Sequence, residues 1–144
     1  MVSRVAWARV VVSDQVTGEI GPGLLVLVGA GREDGPDQAA WLADKLAGLR
    51  VFEDDAGVPN RDVVEAGGGV LVVSQFTLYG DTQKGRRPSF IDAARPEQAI
   101  PLYQRFVAEL EGKGLRVATG EFGADMQVEL VNDGPVTLVL ERSG

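Results

Sequence analysis

The chain has 144 residues, 44% of them hydrophobic and 24% charged, with a net charge of −7 and a pI near 4.6. It contains neither cysteine nor histidine, which excludes disulfides, thiolate chemistry, Ser-His-Asp and Cys-His catalysis, and histidine-ligated zinc. Proton transfer is left to a carboxylate, an amine such as Lys84, a tyrosine, water or the substrate itself, and the acidic balance argues against a non-specific grip on a phosphate backbone.

The length suits one domain over residues 1–144, since a chain of about 150 residues buries roughly 68–70% of its unfolded surface. The N-terminal run "MVSRVAWARVVV" carries Arg4 and Arg9 and does not read as a signal peptide. The longest strongly apolar run, Leu24 to Ala30, is far short of the ~20 residues that cross a bilayer. A soluble protein of a reducing cytoplasm is expected.

In chain order, Val5 to Val12 and Leu24 to Val28 are aliphatic runs separated by "SDQVTGEIGPG", whose Gly and Pro mark turns, and they suggest an antiparallel pair. "PDQAAWLADKLAGLR" places Ala39, Leu42, Leu46 and Leu49 at helical spacing behind Pro36. "VFEDDAGVPNRDVVEAGGG" reads as a short strand and a loop-rich excursion. Val70 to Gly80 is the best buried strand, nearly all apolar until Ser74. A second helix is expected from near Pro96, with Ala99, Tyr103, Phe106, Val107 and Leu110 on its apolar stripe, Pro101 delaying or kinking it, and Gly112 and Gly114 ending it. Two alternating strands follow, around Val128 and Leu138, expected to be neighbours joined through "NDGP". The pattern predicts an α+β fold: a curved, mostly antiparallel, barrel-like sheet with two main helices.

Three stretches could carry chemistry. "SQFTLYGDTQKGRRPSF", Ser74 to Phe90, ends a hydrophobic strand with hydroxyls, an amide and backbone N–H groups, a common place for a site. Read alone, Ser74 and Thr77 more simply satisfy local backbone groups at a sheet edge, and with no histidine nearby neither is an obvious nucleophile. Lys84, Arg86 and Arg87 form a basic loop in an acidic chain, either a solvated loop or a phosphate contact. "FGADMQV" puts Met126 at the mouth of a strand, as core filler or against a planar base. "VNDGPVTLVL" places Gly134 and Pro135 together just where a strand should begin.

In this order, and with "GEIGPGLLVLVG" and "LADKLAGLRVFED", these motifs closely resemble the D-aminoacyl-tRNA deacylases over nearly the whole chain. The resemblance implies a homodimer that hydrolyses the ester of D-aminoacyl-tRNA, and of glycine mischarged on tRNA-Ala, as a proofreading step. It implies a catalytic Ser74, Gln75, Phe76 and Thr77, with a cis Gly134-Pro135 inserted from the other subunit to crowd out an L side chain. It further implies that Met126 faces the terminal adenosine and that Arg4 supports the Gly-Pro segment. From charge, Lys84, Arg86 and Arg87 are expected on tRNA phosphates. Neither a cofactor, a metal, DNA nor a membrane is expected as a partner. The family commonly opens with a longer first strand than "MVS" supplies, and more polar residues than Trp7-Ala8-Arg9. The ester of aminoacyl-tRNA is reactive and flanked by a 2′-hydroxyl, so position and oxyanion donors suffice and a histidine-free site is intelligible. The rival reading is a non-catalytic RNA-binding homodimer; a hydrolase of small esters is a third.

Overall fold

In the computed structural model, which describes residues 1–143, β1 (Val2–Val12) turns through Ser13 and Asp14 into β2 (Gln15–Ile20). Both turn residues have positive φ, 49° and 64°, which makes the tight hairpin whose twist matches its strands. Much of the segment expected to be a turn is therefore a strand. Its glycines and polar residues hid it, because one face of β2 looks to solvent and its pairing with β1 supplies the order.

Near its start β1 also pairs antiparallel with β3 (Gly23–Val28), from Val2–Val26 to Val5–Gly23; the antiparallel sense is as anticipated, but Ala8 to Val12 of the expected first run pair with β2 instead. β3 lies parallel to β6 (Gly69–Ser74), and β6 parallel to β7 (Arg116–Thr119), a strand the sequence reading did not anticipate. The sheet is thus mixed, with a fully parallel centre. The apolar runs 24–28 and 70–73 already carried that signal, because a strand buried on both faces has no polar alternation. Leu24, Val26, Val70 and Val72 pack under the helices, whereas Leu25, Leu71 and Val73 fill the barrel beside Val5, Ala8, Val10 and Ile20.

The helices α1 (Pro36–Ala47) and α2 (Pro96–Glu111) cover the outer face. Ala39, Ala43, Leu46, Phe106 and Leu110 are buried against the sheet. α2 runs from Pro96 to Glu111 with Pro101 inside it, so Pro101 does not delay its start. Tyr103 donates to the Val72 carbonyl at 3.1 Å, tying α2 to β6. A small hairpin of β4 (Phe52–Glu53) and β5 (Pro59–Arg61) stands apart from the sheet. No helix among the described residues is long and apolar enough to cross a membrane.

The C-terminal region differs from expectation. Instead of two strands pairing with each other, β8 (Gln127–Leu138) pairs with β1 on both sides of an irregularity. Asn132 lies opposite Val5 and Thr137 opposite Ser3, so residues 133–136 bulge out of the ladder. The Asn132 side chain closes this excursion by accepting from the Val136 amide at 3.0 Å and donating to Thr137 Oγ1 at 2.8 Å. A short polar link between two apolar segments suggests a hairpin, but here a single partner strand accepts both segments and ejects the link.

Glycine makes the barrel seam possible. A Cβ on Gly18 of β2 would lie 2.2 Å from the Thr119 carbonyl oxygen of β7, and one on Gly23 would lie 2.0 Å from that of Gly69. Since both obstacles are backbone, Gly18→Ala should destabilise the protein by about 1–3 kcal/mol. A lower urea midpoint with an unchanged slope is expected, and an unshifted midpoint would mean that β2 and β7 do not approach this closely.

Candidate active site

The parallel ladder of β3 and β6 ends where Val28 pairs with Ser74. One further hydrogen bond, from the Gln75 amide to the Val28 carbonyl at 2.8 Å, holds the chain as it leaves the sheet. Residues Phe76–Tyr79 then form a 3₁₀ turn instead of the continued strand expected from sequence. Gly80 permits that turn: its amide bonds the Thr77 carbonyl at 2.9 Å, and a Cβ there would crowd that oxygen and the Phe90 ring, each at 3.0 Å.

Ser74 and Gln75 are half-buried, and Phe76 and Thr77 are exposed. The Leu78 and Gly80 amides are used inside the turn. Those of Phe76 and Thr77 belong to its first residues, which have no earlier carbonyl within the helix to bond. Thr77 Oγ1 accepts from Gln75 Nε2 at 3.0 Å. The Phe76 ring meets the edge of Phe90, centroids 5.2 Å apart, although Phe76 itself is 55% exposed.

The basic loop leaves and re-enters through Asp81 and Ser89, which exchange two backbone hydrogen bonds of 2.7 and 2.8 Å. Lys84, Arg86 and Arg87 are exposed on it, and none joins an ion pair among the described residues. Met126 is half-buried at the barrel mouth beside Val128, close enough to Gly120 that a Cβ there would lie 2.7 Å from its sulfur. Phe122 packs edge-on against Tyr103 at 6.0 Å.

Gly134-Pro135 is a cis peptide bond in the exposed bulge of β8. Arg4 braces this bulge: its Nε donates to the Asp133 carbonyl at 2.9 Å, and its Nη1 donates to the Val51 carbonyl. Gly134 has φ of 135°, and a Cβ there would lie 3.0 Å from Arg4 Nη2. Within one chain these close approaches run to Arg4 and Val136, not to the 74–79 turn. The small cavity beside Ser74, about 40 Å³, is walled by α1, α2 and the β3 end, and neither Gly134 nor Pro135 lines it. Among the described residues no group of three or more carboxylates gathers as a metal site.

Sequence reasoning passed over the groups behind the turn. The Tyr79 hydroxyl donates to Asp34 Oδ2 at 3.3 Å, and the Gly31 amide donates to the same oxygen at 2.8 Å. The available signal was "GAG", Gly29 to Gly31, directly after an apolar strand, since glycine at a strand end marks close approach by another group.

A family model described as D-Tyr-tRNA(Tyr) deacylase matches residues 1–141. The chain belongs to this family. It is 60% identical to a D-aminoacyl-tRNA deacylase of Symbiobacterium thermophilum over 98% of this chain and 93% of that protein. A D-aminoacyl-tRNA deacylase of Anaeromyxobacter dehalogenans is 61% identical over 98% and 95%. Among solved structures, the c-Myc DNA unwinding element binding protein superposes with a TM-score of 0.92 at 39% identity, covering 99% of this chain and 97% of that one. A probable eukaryotic D-amino acid tRNA deacylase shares the fold, with a TM-score of 0.79 at 18% identity over 93% of each chain. The activity is that of the family: hydrolysis of the ester linking a D-amino acid to tRNA.

The chain has two tyrosines, Tyr79 and Tyr103, and burial pushes both phenols above their ordinary value. For Tyr79 the neighbouring Asp34 carboxylate adds to the rise. The fold therefore holds these protons more tightly than the unfolded chain does. Their stabilisation is complete below the unfolded value of 10.0 and is lost as pH rises through the folded values. An absorbance titration of the folded deacylase should develop phenolate later than its urea-unfolded form; coincident curves would contradict the burial of both rings.

Proposed function

We propose that this deacylase works as a homodimer in which the 74–79 turn of each subunit holds the ester and Gly134-Pro135 of the other subunit screens the amino acid. The observation that carries this reading is the position of the Phe76 and Thr77 amides, the first two of a 3₁₀ turn on exposed residues at the end of a deeply buried strand. Such amides suit a developing oxyanion, where one preorganised donor is worth about 10²–10³ in rate. Ser74, Gln75, Phe76 and Thr77 then position the ester, and water attacks with help from the 2′-hydroxyl of the terminal ribose. The Thr77 hydroxyl is held by an amide nitrogen rather than by a base, which favours this route over Thr77 as nucleophile.

The braced, exposed bulge supports the screening role. Arg4 ties it to the body of the subunit while Gly134 and Pro135 stay free to enter a second copy. A wall of backbone oxygens there would repel an L side chain and admit a D side chain or the hydrogen of glycine, so glycyl-tRNA is a second substrate. Met126 would meet the terminal adenosine, and Lys84, Arg86 and Arg87 the acceptor-stem phosphates. An aminoacyl-tRNA substrate is in keeping with a cytoplasmic enzyme.

Deacylation of D-aminoacyl-, glycyl- and L-aminoacyl-tRNA tests the reading: the first two should be hydrolysed and the third spared. In the same assay Thr77→Val should lose much less than the ~10²–10³ expected for loss of one oxyanion donor. Near-total loss with tRNA binding intact would favour the nucleophile. Reversing Lys84, Arg86 and Arg87 to glutamate should raise KM and flatten its salt dependence while leaving the D-over-L ratio unchanged. A changed ratio would refute the separation of tRNA grip from chiral choice.

A further inference from the structure

The 74–79 turn has little to hold it in place. It is a 3₁₀ turn, whose hydrogen bonds are poorer than those of an α-helix, and none of its residues Phe76–Tyr79 is buried. Its internal bonds are Leu78 to Gln75 at 3.3 Å and Gly80 to Thr77 at 2.9 Å, with the Gln75–Thr77 side-chain contact across the front. Rigidity must come from behind.

Behind the turn stands Tyr79. Its ring lies flush on Gly31: a Cβ there would be 2.9 Å from the hydroxyl oxygen and 3.0 Å from the nearest ring carbons. A Cβ on Gly29 would be 2.9 Å from the Gln75 carbonyl oxygen and 3.4 Å from the Tyr79 ring. The hydroxyl reaches Asp34 Oδ2, the oxygen that also accepts from the Gly31 amide. The Asp34 backbone is fixed in turn, because Gln98 Nε2 on α2 donates to the Asp34 carbonyl at 3.1 Å and to that of Arg32 at 2.8 Å. A continuous path of hydrogen bonds thus runs from α2 through Asp34 to the last residue of the turn.

We propose that Tyr79 and Asp34 are positioning residues for deacylation, a phenol–carboxylate latch that fixes the 3₁₀ turn so that the Phe76 and Thr77 amides converge on the ester oxygen. This rests on the reading of the turn as the oxyanion site. Both residues also border a cavity of about 270 Å³ beside Val28 and Leu78, and the role assigned to them is to hold the turn. The latch acts through backbone, because Tyr79 and Thr77 share one helical turn, and displacing its last residue displaces its first amides. A phenol is protonated, and so a donor, throughout the neutral range, and burial moves that of Tyr79 further from ionisation. Oxyanion donors tolerate little misplacement, so the latch should register in turnover, not in tRNA affinity.

The test is steady-state and single-turnover kinetics on the full-length enzyme with D-aminoacyl-tRNA. Tyr79→Phe keeps the ring against Gly31 and removes only the donor. It should lower kcat roughly 3- to 10-fold, the scale of one ordinary hydrogen bond, with KM unchanged and the enzyme still fully folded at the assay temperature. Asp34→Asn retains an acceptor oxygen and should keep more of kcat than Asp34→Ala. Wild-type kcat in Tyr79→Phe, a loss confined to KM, a loss matching a reduced folded fraction, or equal losses in the two Asp34 variants would each overturn the proposal. Phe76→Pro separates this from failure of the underlying reading. Proline fits the first position of a helix and deletes one of the two amides. If a folded Phe76→Pro enzyme is inactive while Tyr79→Phe is normal, the turn stands and the latch falls. If Phe76→Pro turns over normally, the turn is not the oxyanion site and both fall.

Discussion

The parallel ladder between β3 and β6 is the constraint on which the molecule depends. From Gly23–Gly69 to Val28–Ser74 the two strands stay in register, and their side chains fill both the barrel and the space under the helices. A strand committed on both faces cannot slip by one residue without turning its whole hydrophobic set inside out. Its last residue is therefore placed as firmly as its first. Ser74 inherits that precision, and the Gln75–Val28 hydrogen bond passes it on to an otherwise exposed turn.

Close backbone approach is the second means by which this small chain gains definition. Gly18 against Thr119, Gly23 against Gly69 and Gly31 against Tyr79 are all positions where a methyl group would meet its neighbour at 3.0 Å or less. The first two draw the barrel together; the third seats the last residue of the 74–79 turn. Fold and site thus use the same device, removal of a side chain so that another element can come nearer.

Electrostatics divides the molecule differently. The net charge of −7 is spread over a surface in which several cations are already paired, such as Arg9 with Glu129 and Arg105 with Glu109. Such exposed pairs contribute about 0–1 kcal/mol each. Lys84, Arg86 and Arg87 are held out of them, and Arg4 is spent on two backbone carbonyls rather than on solvent. Three cations close in sequence, outside any ion pair among the described residues, give an otherwise acidic chain one local concentration of positive charge, on the loop that follows the turn.

The absence of histidine and cysteine, the two helices with their apolar stripes and the apolar runs of β3 and β6 were legible in the residues alone, because composition and hydrophobic period are local properties. The ordered motifs around Ser74, Met126 and Gly134 likewise pointed to the family. What the residues could not announce were choices made by distant partners. β2 and β7 are strands because β1 and β6 offer them edges. The segment after Ser74 curls into a 3₁₀ turn because the sheet ends there and Gly80 allows it. Residues 127–138 pair with β1 rather than with each other because that strand presents one long free edge, and Arg4, remote in sequence, holds the displaced link. Local propensity set the elements with a strong period; long-range hydrogen bonding and close glycine contacts decided the rest, the 74–79 turn and its supports among them.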